Sequence, residues 1–341
     1  MALLIGTRKG LFALDEGGRL RGPFLTGWAV FHAVSHGGVV YAAANSFFFG
    51  ATVQRSSDGG ETWERAEELG LPEESGLTVA NAWHVEPAGS RLWLGVDPGA
   101  LFSSDDGGVT WAPNAALLSH PTRDRWQPGA GGMCLHSIQV APDGTLYIAI
   151  SAAGAFRSDD GGESFTPINK NVAADFMPDD PYPEVGQCVH KLLVHPARPE
   201  RLWQQNHCGV YRSDDRGDDW ERLDGNGLPS DFGFAIALDP ADPDAAWVIP
   251  EEGGGNRVTA GGRLGVYRTR DAGASWELDA AGLPDSAWTG VLREASSFDA
   301  DGVYFGTQSG SVFTRRHDAG GWEEAASQLP PILSVEAGAW S

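Results

Sequence analysis

The residues best suited to chemistry in this sequence recur at one position of a repeat. Counting back 11 to 13 residues from the aromatic residue of five short apolar segments reaches Asn81, His136, His190, Phe234 and Arg293. His32 lies nine residues before the aromatic of the first such segment, and Glu336 takes the matching place near the end of the sequence. Imidazole and carboxylate groups transfer protons near neutral pH, and guanidinium groups pair with anions. This pattern predicts a polar site.

Further candidates follow the same apolar segments, and we assign a role to each group. We predict Glu336, His136 and His190 as the catalytic residues. The predicted substrate-binding residues are Arg8, Asn81, Asn206, His207, Glu251 and Arg293. An alternative is a divalent metal held by His32, His136 and His190, with His207 or Glu336 as a further ligand, since three imidazoles and a water position suit zinc or non-haem iron.

A repeated turn motif indicates how these residues are positioned. The segment from Ser56 to Trp63 has the pattern S-x-D-x-G-x-T-W, and similar segments contain Asp106, Asp160, Asp215 and Asp271. In such a turn the Asp accepts backbone N–H bonds, the Gly adopts a positive φ, and the aromatic packs between sheets. We therefore expect these aspartates to be structural.

Short apolar strands at even spacing, separated by Gly-rich turns, predict a β-propeller with four strands in each blade. Six repeats leave both ends of the chain unassigned. A strand at residues 332–336 would complete a seventh blade with strands at residues 3–6, 10–14 and 20–24. We predict one all-β domain over residues 1–341, a seven-bladed propeller closed by its N- and C-terminal strands.

Loop lengths predict which face of this propeller carries the site. The connections between the second and third strands lie opposite the repeated turns, and they are longest at residues 45–50 and 251–262. Insertions on one face of a repeat protein commonly mark the binding face. We expect the inner-strand residues to converge where the central channel opens there, with Phe47, Phe48 and Phe49 forming one wall.

Composition excludes several classes of partner. The 24 basic and 46 acidic residues give a formal net charge of −22, which opposes binding to nucleic acid or to an anionic membrane surface. The sequence contains no apolar run of about 18 residues and no leader-like N-terminal segment, so we expect a cytoplasmic protein. The three cysteines make a disulfide framework unexpected.

The repeated turn resembles the Asp-box, or bacterial neuraminidase repeat, of sialidases, xyloglucanases and sortilin-type propellers. The first strands, from Leu3 to Phe12, together with the segments around His136, His190 and His207, are similar to small bacterial propellers labelled sialidase-like or glycosyl-hydrolase-like. The resemblance implies a hydrolase acting on a glycosidic bond. The Arg-Ile-Pro segment typical of sialidases does not occur, and seven blades fit the sequence better than the six of those enzymes.

Three functions therefore remain open at the sequence level. The first is a glycosyl-hydrolase-like enzyme acting on a small anionic or sugar-like substrate in a His-lined pocket at the channel mouth. The second is a metal-dependent hydrolase, lyase or oxygenase with histidine ligands. The third is a non-catalytic scaffold for protein interactions, which would predict a broad apolar or charged patch instead of a histidine-lined pocket.

Overall fold

A computed structural model describes residues 2–129, 131–338 and 340 of the chain. These residues form seven four-stranded antiparallel sheets, so the predicted all-β, seven-bladed β-propeller is confirmed. Within the described residues, no helix is long and apolar enough to cross a membrane.

The strands follow one another around the ring in chain order. The first three strands belong to blade seven: β1 (Leu3–Thr7), β2 (Gly10–Leu14) and β3 (Leu20–Phe24). Blades one to three contain β4 (Ala29–His36), β5 (Val39–Ser46), β6 (Gly50–Ser56) and β7 (Glu64–Arg65); β8 (Asn81–Ala88), β9 (Arg91–Asp97), β10 (Ala100–Ser104) and β11 (Ala112–Pro113); and β12 (Leu135–Val140), β13 (Leu146–Ile150), β14 (Gly154–Ser158) and β15 (Thr166–Pro167).

Blades four to six repeat this arrangement, and the last strand returns to blade seven. They contain β16 (Val189–His195), β17 (Arg198–Asn206), β18 (Gly209–Ser213) and β19 (Glu221–Arg222); β20 (Gly233–Asp239), β21 (Asp242–Pro250), β22 (Tyr267–Thr269) and β23 (Glu277–Leu278); and β24 (Ser296–Phe298), β25 (Gly302–Gly306), β26 (Val312–Arg316) and β27 (Glu323–Ala326). Strand β28 (Ile332–Ala337) pairs with β1, with Leu4 opposite Glu336. The described helical segments are short: α1 (Ala115–Leu118) and 3-10 turns at Glu73–Ser75, Arg123–Arg125 and Ala260–Gly262.

The repeated turns connect the third and fourth strands of a blade, and their aspartates hold the turn together. Asp106 accepts hydrogen bonds from the backbone N–H groups of Val109 and Thr110 and from the Thr110 hydroxyl. These bonds lower the pKa of Asp106 to about 2, chiefly through Thr110. Gly108 has a φ of +83° and donates its N–H to Ser104 Oγ. These contacts give the turn a structural role.

The core lies between neighbouring blades, where the turn aromatics insert. Trp111 is buried in one cluster with Tyr41 and Phe102, and Phe165 is buried in the next cluster with Trp93. The side chain of Trp220 donates its Nε1–H to the Ile168 carbonyl 2.7 Å away, across the blade boundary. Each blade is therefore fixed to the next by an aromatic, which holds the inner strands around a common axis.

Candidate functional site

A β-bulge in the inner strands aims one side chain per blade toward the mouth of the channel. The register shifts by one residue at Phe31, Trp83, His136, His190 and Leu333, and by one residue across Phe234 and Ala235. Bulges turn an unpaired side chain away from the regular alternation of a strand. We call Phe31, Trp83, His136, His190, Phe234, Arg293 and Leu333 the mouth ring, in which Arg293 takes the corresponding place in blade six.

The structure revises the register expected for three residues of this ring. His32 follows the bulged Phe31, so it lies one residue deeper along the channel. Asn81 is the first residue of β8, paired with Asp97 and two residues before Trp83. Glu336 lies three residues beyond Leu333 on β28. The places expected for His32, Asn81 and Glu336 in the ring are held by Phe31, Trp83 and Leu333.

A cavity of about 680 Å³ opens at the mouth ring, on the face that carries the turns between second and third strands. Its walls include Arg8 from the β1–β2 turn, His207 from the β17–β18 turn and Arg257 from the insertion after β21. Aromatic side chains supply much of the remaining wall: Phe31, Trp83, Phe176 and Phe234. A cavity of this size fits a ligand of one or a few sugar rings.

The cavity contains cationic side chains and, among the described residues, no carboxylate. Arg8, Arg257 and Arg293 all line it, and none of the three forms an ion pair within the described part of the chain. The Arg293 guanidinium lies over the rings of Phe234 and Trp83, at 4.9 and 5.6 Å, and its Nε is buried without a hydrogen-bond partner. Such a set of unpaired guanidinium groups favours an anionic ligand.

Two imidazoles and a thiol lie together in the cavity wall. Ligand atoms of Cys188, His190 and His207 are all within 4.8 Å of one another. Burial lowers the pKa of His190 well below its usual range, with Arg293 as the next cause. Burial and Arg257 also lower the pKa of His207. Both rings are therefore neutral at pH 7 and present nitrogen lone pairs.

Two other predicted site residues lie just behind this wall. His136 holds its place in the mouth ring, but its side chain is fully buried, with Nε2 3.0 Å from the Oγ of Ser151, which does line the cavity. Asn206 is fully buried, and its Oδ1 accepts the N–H of Cys208 at 3.1 Å. That bond shapes the turn that presents His207.

Glu251 begins the insertion of blade five and is buried outside the cavity lining. Its Oε1 accepts the N–H of Val291 at 3.0 Å, and its Oε2 is buried without a partner. Burial raises the pKa of Glu251 to about 7. The Glu251 carboxylate thus supports the segment that leads to Arg293. Phe47, Phe48 and Phe49 are exposed and outside the cavity lining.

One residue deeper than the mouth ring, four ionisable side chains fill the channel. We call His32, His84, Lys191 and Glu294 the channel cluster; all four are buried. Glu294 Oε2 accepts hydrogen bonds from Lys191 Nζ at 2.6 Å and from His84 Nδ1 at 3.2 Å. Sequence reasoning missed His84, Lys191 and Glu294. They directly follow Trp83, His190 and Arg293, and in the first two cases the bulge shifts the following residue into the channel.

The channel cluster raises the pKa of His84 to about 9, because Glu294 stabilises the charged ring despite the opposing effect of burial. His32 stacks on His84 at 4.1 Å, and burial lowers the pKa of His32. Glu336 Oε2 lies 3.7 Å from His32 Nε2 and 3.4 Å from Ser297 Oγ. Glu336, predicted as catalytic, therefore contacts the channel cluster and does not line the cavity. The predicted binding residues His207 and Arg293 do line it.

Two sets of side chains among the described residues have donor atoms close enough for a metal ion, and neither is the predicted trio. One set is Cys188, His190 and His207; the other is His32, His84 and Glu294. In the second set Lys191 already occupies the Glu294 carboxylate, and both His84 nitrogens face carboxylates. A doubly paired, protonated imidazole has no lone pair for a metal.

Comparison with known proteins finds xyloglucanases among the sequence relatives of this chain and among solved structures of the same fold. No family model matches the sequence. A xyloglucanase of Paenibacillus sp is 25% identical over 206 residues, covering 55% of this chain and 18% of the relative. A probable oligoxyloglucan-reducing end-specific xyloglucanase of Neosartorya fischeri is 27% identical over 177 residues, covering 50% of this chain and 19% of the relative.

The same fold occurs in a solved GH74 xyloglucanase from Xanthomonas campestris. Its TM-score is 0.64 at 17% identity, and the match covers 98% of this chain and 52% of that structure. The chain spans less than a fifth of the length of the two sequence relatives. It is a seven-bladed β-propeller that resembles xyloglucanases in sequence and fold.

Proposed function

We propose that this chain is a glycosyl-hydrolase-like propeller protein that binds a small acidic carbohydrate in the cavity at the channel mouth. The observation that carries the proposal is the cationic cavity itself: among the described residues no carboxylate lines it, and none forms an ion pair with Arg8, Arg257 or Arg293. Guanidinium groups pair bidentately with carboxylate or phosphate, which selects an acidic ligand over a neutral one.

The shape and walls of the cavity support a carbohydrate class. Flat aromatic surfaces from Trp83, Phe31 and Phe234 suit the apolar faces of sugar rings, and Arg293 is held between two of these rings. The sequence relatives are named as xyloglucanases, which also favours a saccharide. His190 and His207 present neutral nitrogens in the wall beside the proposed ligand.

Calorimetric titration with glucuronate, N-acetylneuraminate and glucose tests the proposal. We expect the two acids to bind at least about tenfold more tightly than glucose, which corresponds to about 1.4 kcal/mol. Replacing Arg293 with Gln removes the charge beside Phe234 and should weaken the binding of the acids by a similar factor while leaving glucose unaffected. The matched control is Arg91→Gln, which changes an exposed arginine paired with Asp105 far from the cavity.

Equal affinity for acidic and neutral sugars, or wild-type affinity in a folded Arg293→Gln protein, would contradict the proposal. Hydrolysis is tested separately with chromogenic glycosides, including a glucuronide and a sialoside. We expect turnover of an acidic glycoside that decreases in His207→Ala. If none of these glycosides is hydrolysed, the proposed hydrolase activity is rejected and the proposed binding of an acidic carbohydrate remains.

A further inference from the structure

We propose that Cys188, His190 and His207 form a binding site for a thiophilic transition metal ion of the zinc class, in the wall of the cavity. The proposal deepens the proposed function, because the open coordination position would face the same cavity. The predicted metal trio of His32, His136 and His190 shares only His190 with this set.

One hairpin of blade four supplies all three donors. Cys188 directly precedes β16, and His190 is the bulged residue near the start of that strand. Their ligand atoms lie within 4.8 Å of each other and of a His207 nitrogen. His207 lies in the turn that follows β17, and its backbone N–H donates to the Cys188 carbonyl at 2.9 Å. The backbone therefore ties the third donor to the first, so the set is largely preorganised before any ion binds.

The hydrogen bonding of His190 leaves the correct nitrogen free. Its Nδ1 lies 2.6 Å from the Gly233 carbonyl oxygen. A carbonyl only accepts, so Nδ1 carries the proton and Nε2 keeps its lone pair. Metal-binding histidines typically donate their other N–H to a carbonyl or carboxylate in this way, which fixes both tautomer and ring orientation.

The separations suit a metal after a small adjustment. Zinc bonds of about 2.0 to 2.3 Å place tetrahedral ligand atoms roughly 3.3 to 3.8 Å apart. The three donor atoms here lie within 4.8 Å of one another, so side-chain rotations bring them to that range. The centroids of the His190 and His207 rings are 5.6 Å apart, and the ring planes are nearly perpendicular. In this arrangement one nitrogen of each ring can bind the same ion.

The surroundings also select the kind of ion. A thiol with two imidazoles suits soft or borderline metals better than calcium or magnesium, which prefer oxygen ligands. Arg257 and Arg293 repel a bare cation, whereas a Cys188 thiolate offsets part of that charge and a bound acid would offset more. We therefore expect the ion and an acidic ligand to strengthen each other's binding. A zinc ion at such a position lowers the pKa of a bound water.

Titration of chelator-treated protein with Zn²⁺ and Co²⁺ tests the site. We expect one equivalent of either ion to bind, and Co²⁺ to show the near-ultraviolet charge-transfer absorption of a thiolate ligand. In Cys188→Ser this absorption should disappear, and His207→Ala should bind at least tenfold more weakly. Cys134→Ser is the matched control, because Cys134 precedes His136 by two residues just as Cys188 precedes His190, yet lies outside the set.

Absence of stoichiometric binding by the folded wild-type protein, or equal binding by all four proteins, would overturn the metal site. Repeating the glucuronate titration with chelator and with one equivalent of Zn²⁺ separates the two proposals. Arginine-dependent binding that persists unchanged in both conditions would support the acidic-sugar proposal and oppose the coupling to a metal. Metal binding without any affinity for acidic sugars would support the metal site and reject the proposed ligand class.

Discussion

The buried channel cluster shows how strongly single residues depend on their neighbours in this protein. Glu294 is 2% exposed and accepts hydrogen bonds from both Lys191 and His84, while the other nitrogen of His84 faces Glu86 at 3.4 Å. A buried charge without a partner is severely destabilising, whereas a fully paired set is tolerated. Each charge of the cluster is therefore retained only while the others are present.

At the residue scale we predict a pH dependence of stability that arises from His84. Burial and Lys191 lower the pKa of His84, but Glu294 and Glu86 stabilise the charged ring more strongly, so the pKa is about 9 in the folded protein against an ordinary 6.5. This contribution to the free energy of unfolding is complete below pH 6.5 and is lost as the pH rises to about 9. Urea unfolding at pH 6, 7.5 and 9 measures it.

The variant His84→Gln should be less stable at pH 6 and should show a smaller decrease in stability between pH 6 and 9. His120→Gln is the control, since His120 is also buried but its ring nitrogens hydrogen-bond to uncharged groups, Thr122 and the Phe165 carbonyl. A His84→Gln variant that loses as much stability between pH 7.5 and 9 as the wild-type protein would contradict the assignment.

At the scale of strands, the sequence predicts the blades well and the side-chain register less well. Strands β2 and β3 begin and end where the pattern predicts, and β1 and β28 each extend one residue further. The distance along the chain from the mouth-ring residue to the aromatic of the next strand, however, differs between blades. It is ten residues from Trp83 to Trp93 and thirteen from His190 to Trp203. Strands β17 and β21 contain an irregularity that adds three residues near the hairpin turn, and β9 does not.

This difference explains which site residues the sequence could reveal. A count of 11 to 13 residues reaches His136, His190, Phe234 and Arg293, but it misses Phe31 and Trp83 and selects Asn81. The bulge adds a second uncertainty, because it exchanges the residue that faces the cavity with the one that faces the channel. Neither irregularity has a distinct residue signature, so the cavity and the channel cluster needed the structure.

The repeated turn gives a prediction for one loop. Asp106→Ala removes the acceptor for two backbone N–H groups and the Thr110 hydroxyl, and we expect the thermal midpoint to fall by about 2–4 °C. Asp105→Ala is the adjacent control, because Asp105 is exposed and pairs only with the exposed Arg91. Calorimetry of the two variants should show the larger decrease for Asp106. Reduced ligand binding with unchanged stability would instead assign Asp106 a functional role.

At the scale of the whole molecule, closure of the ring depends on β28. This strand pairs with β1 and also lies between the inner strands β24 and β4. Removing it would expose the backbone of β1 as a free edge and open the channel wall, and exposed edges promote aggregation. The mouth ring would also lose Leu333.

We predict that a chain ending at Pro331 loses cooperative thermal unfolding or aggregates during purification. A chain ending at Ala337 keeps the complete strand and should unfold cooperatively, although it loses the packing of Trp340 on Phe24. Circular dichroism melting and size-exclusion chromatography compare the two. A cooperative, monodisperse protein ending at Pro331 would show that blade seven does not need its inner strand.

The channel cluster also bears on the side from which a ligand can reach the cavity. Lys191, His84 and Glu294 are buried directly beneath the mouth ring and are joined by hydrogen bonds, so among the described residues they obstruct an approach along the channel axis. Under the proposed function, the acidic carbohydrate would therefore enter and leave by the mouth, and two such ligands would share that one route.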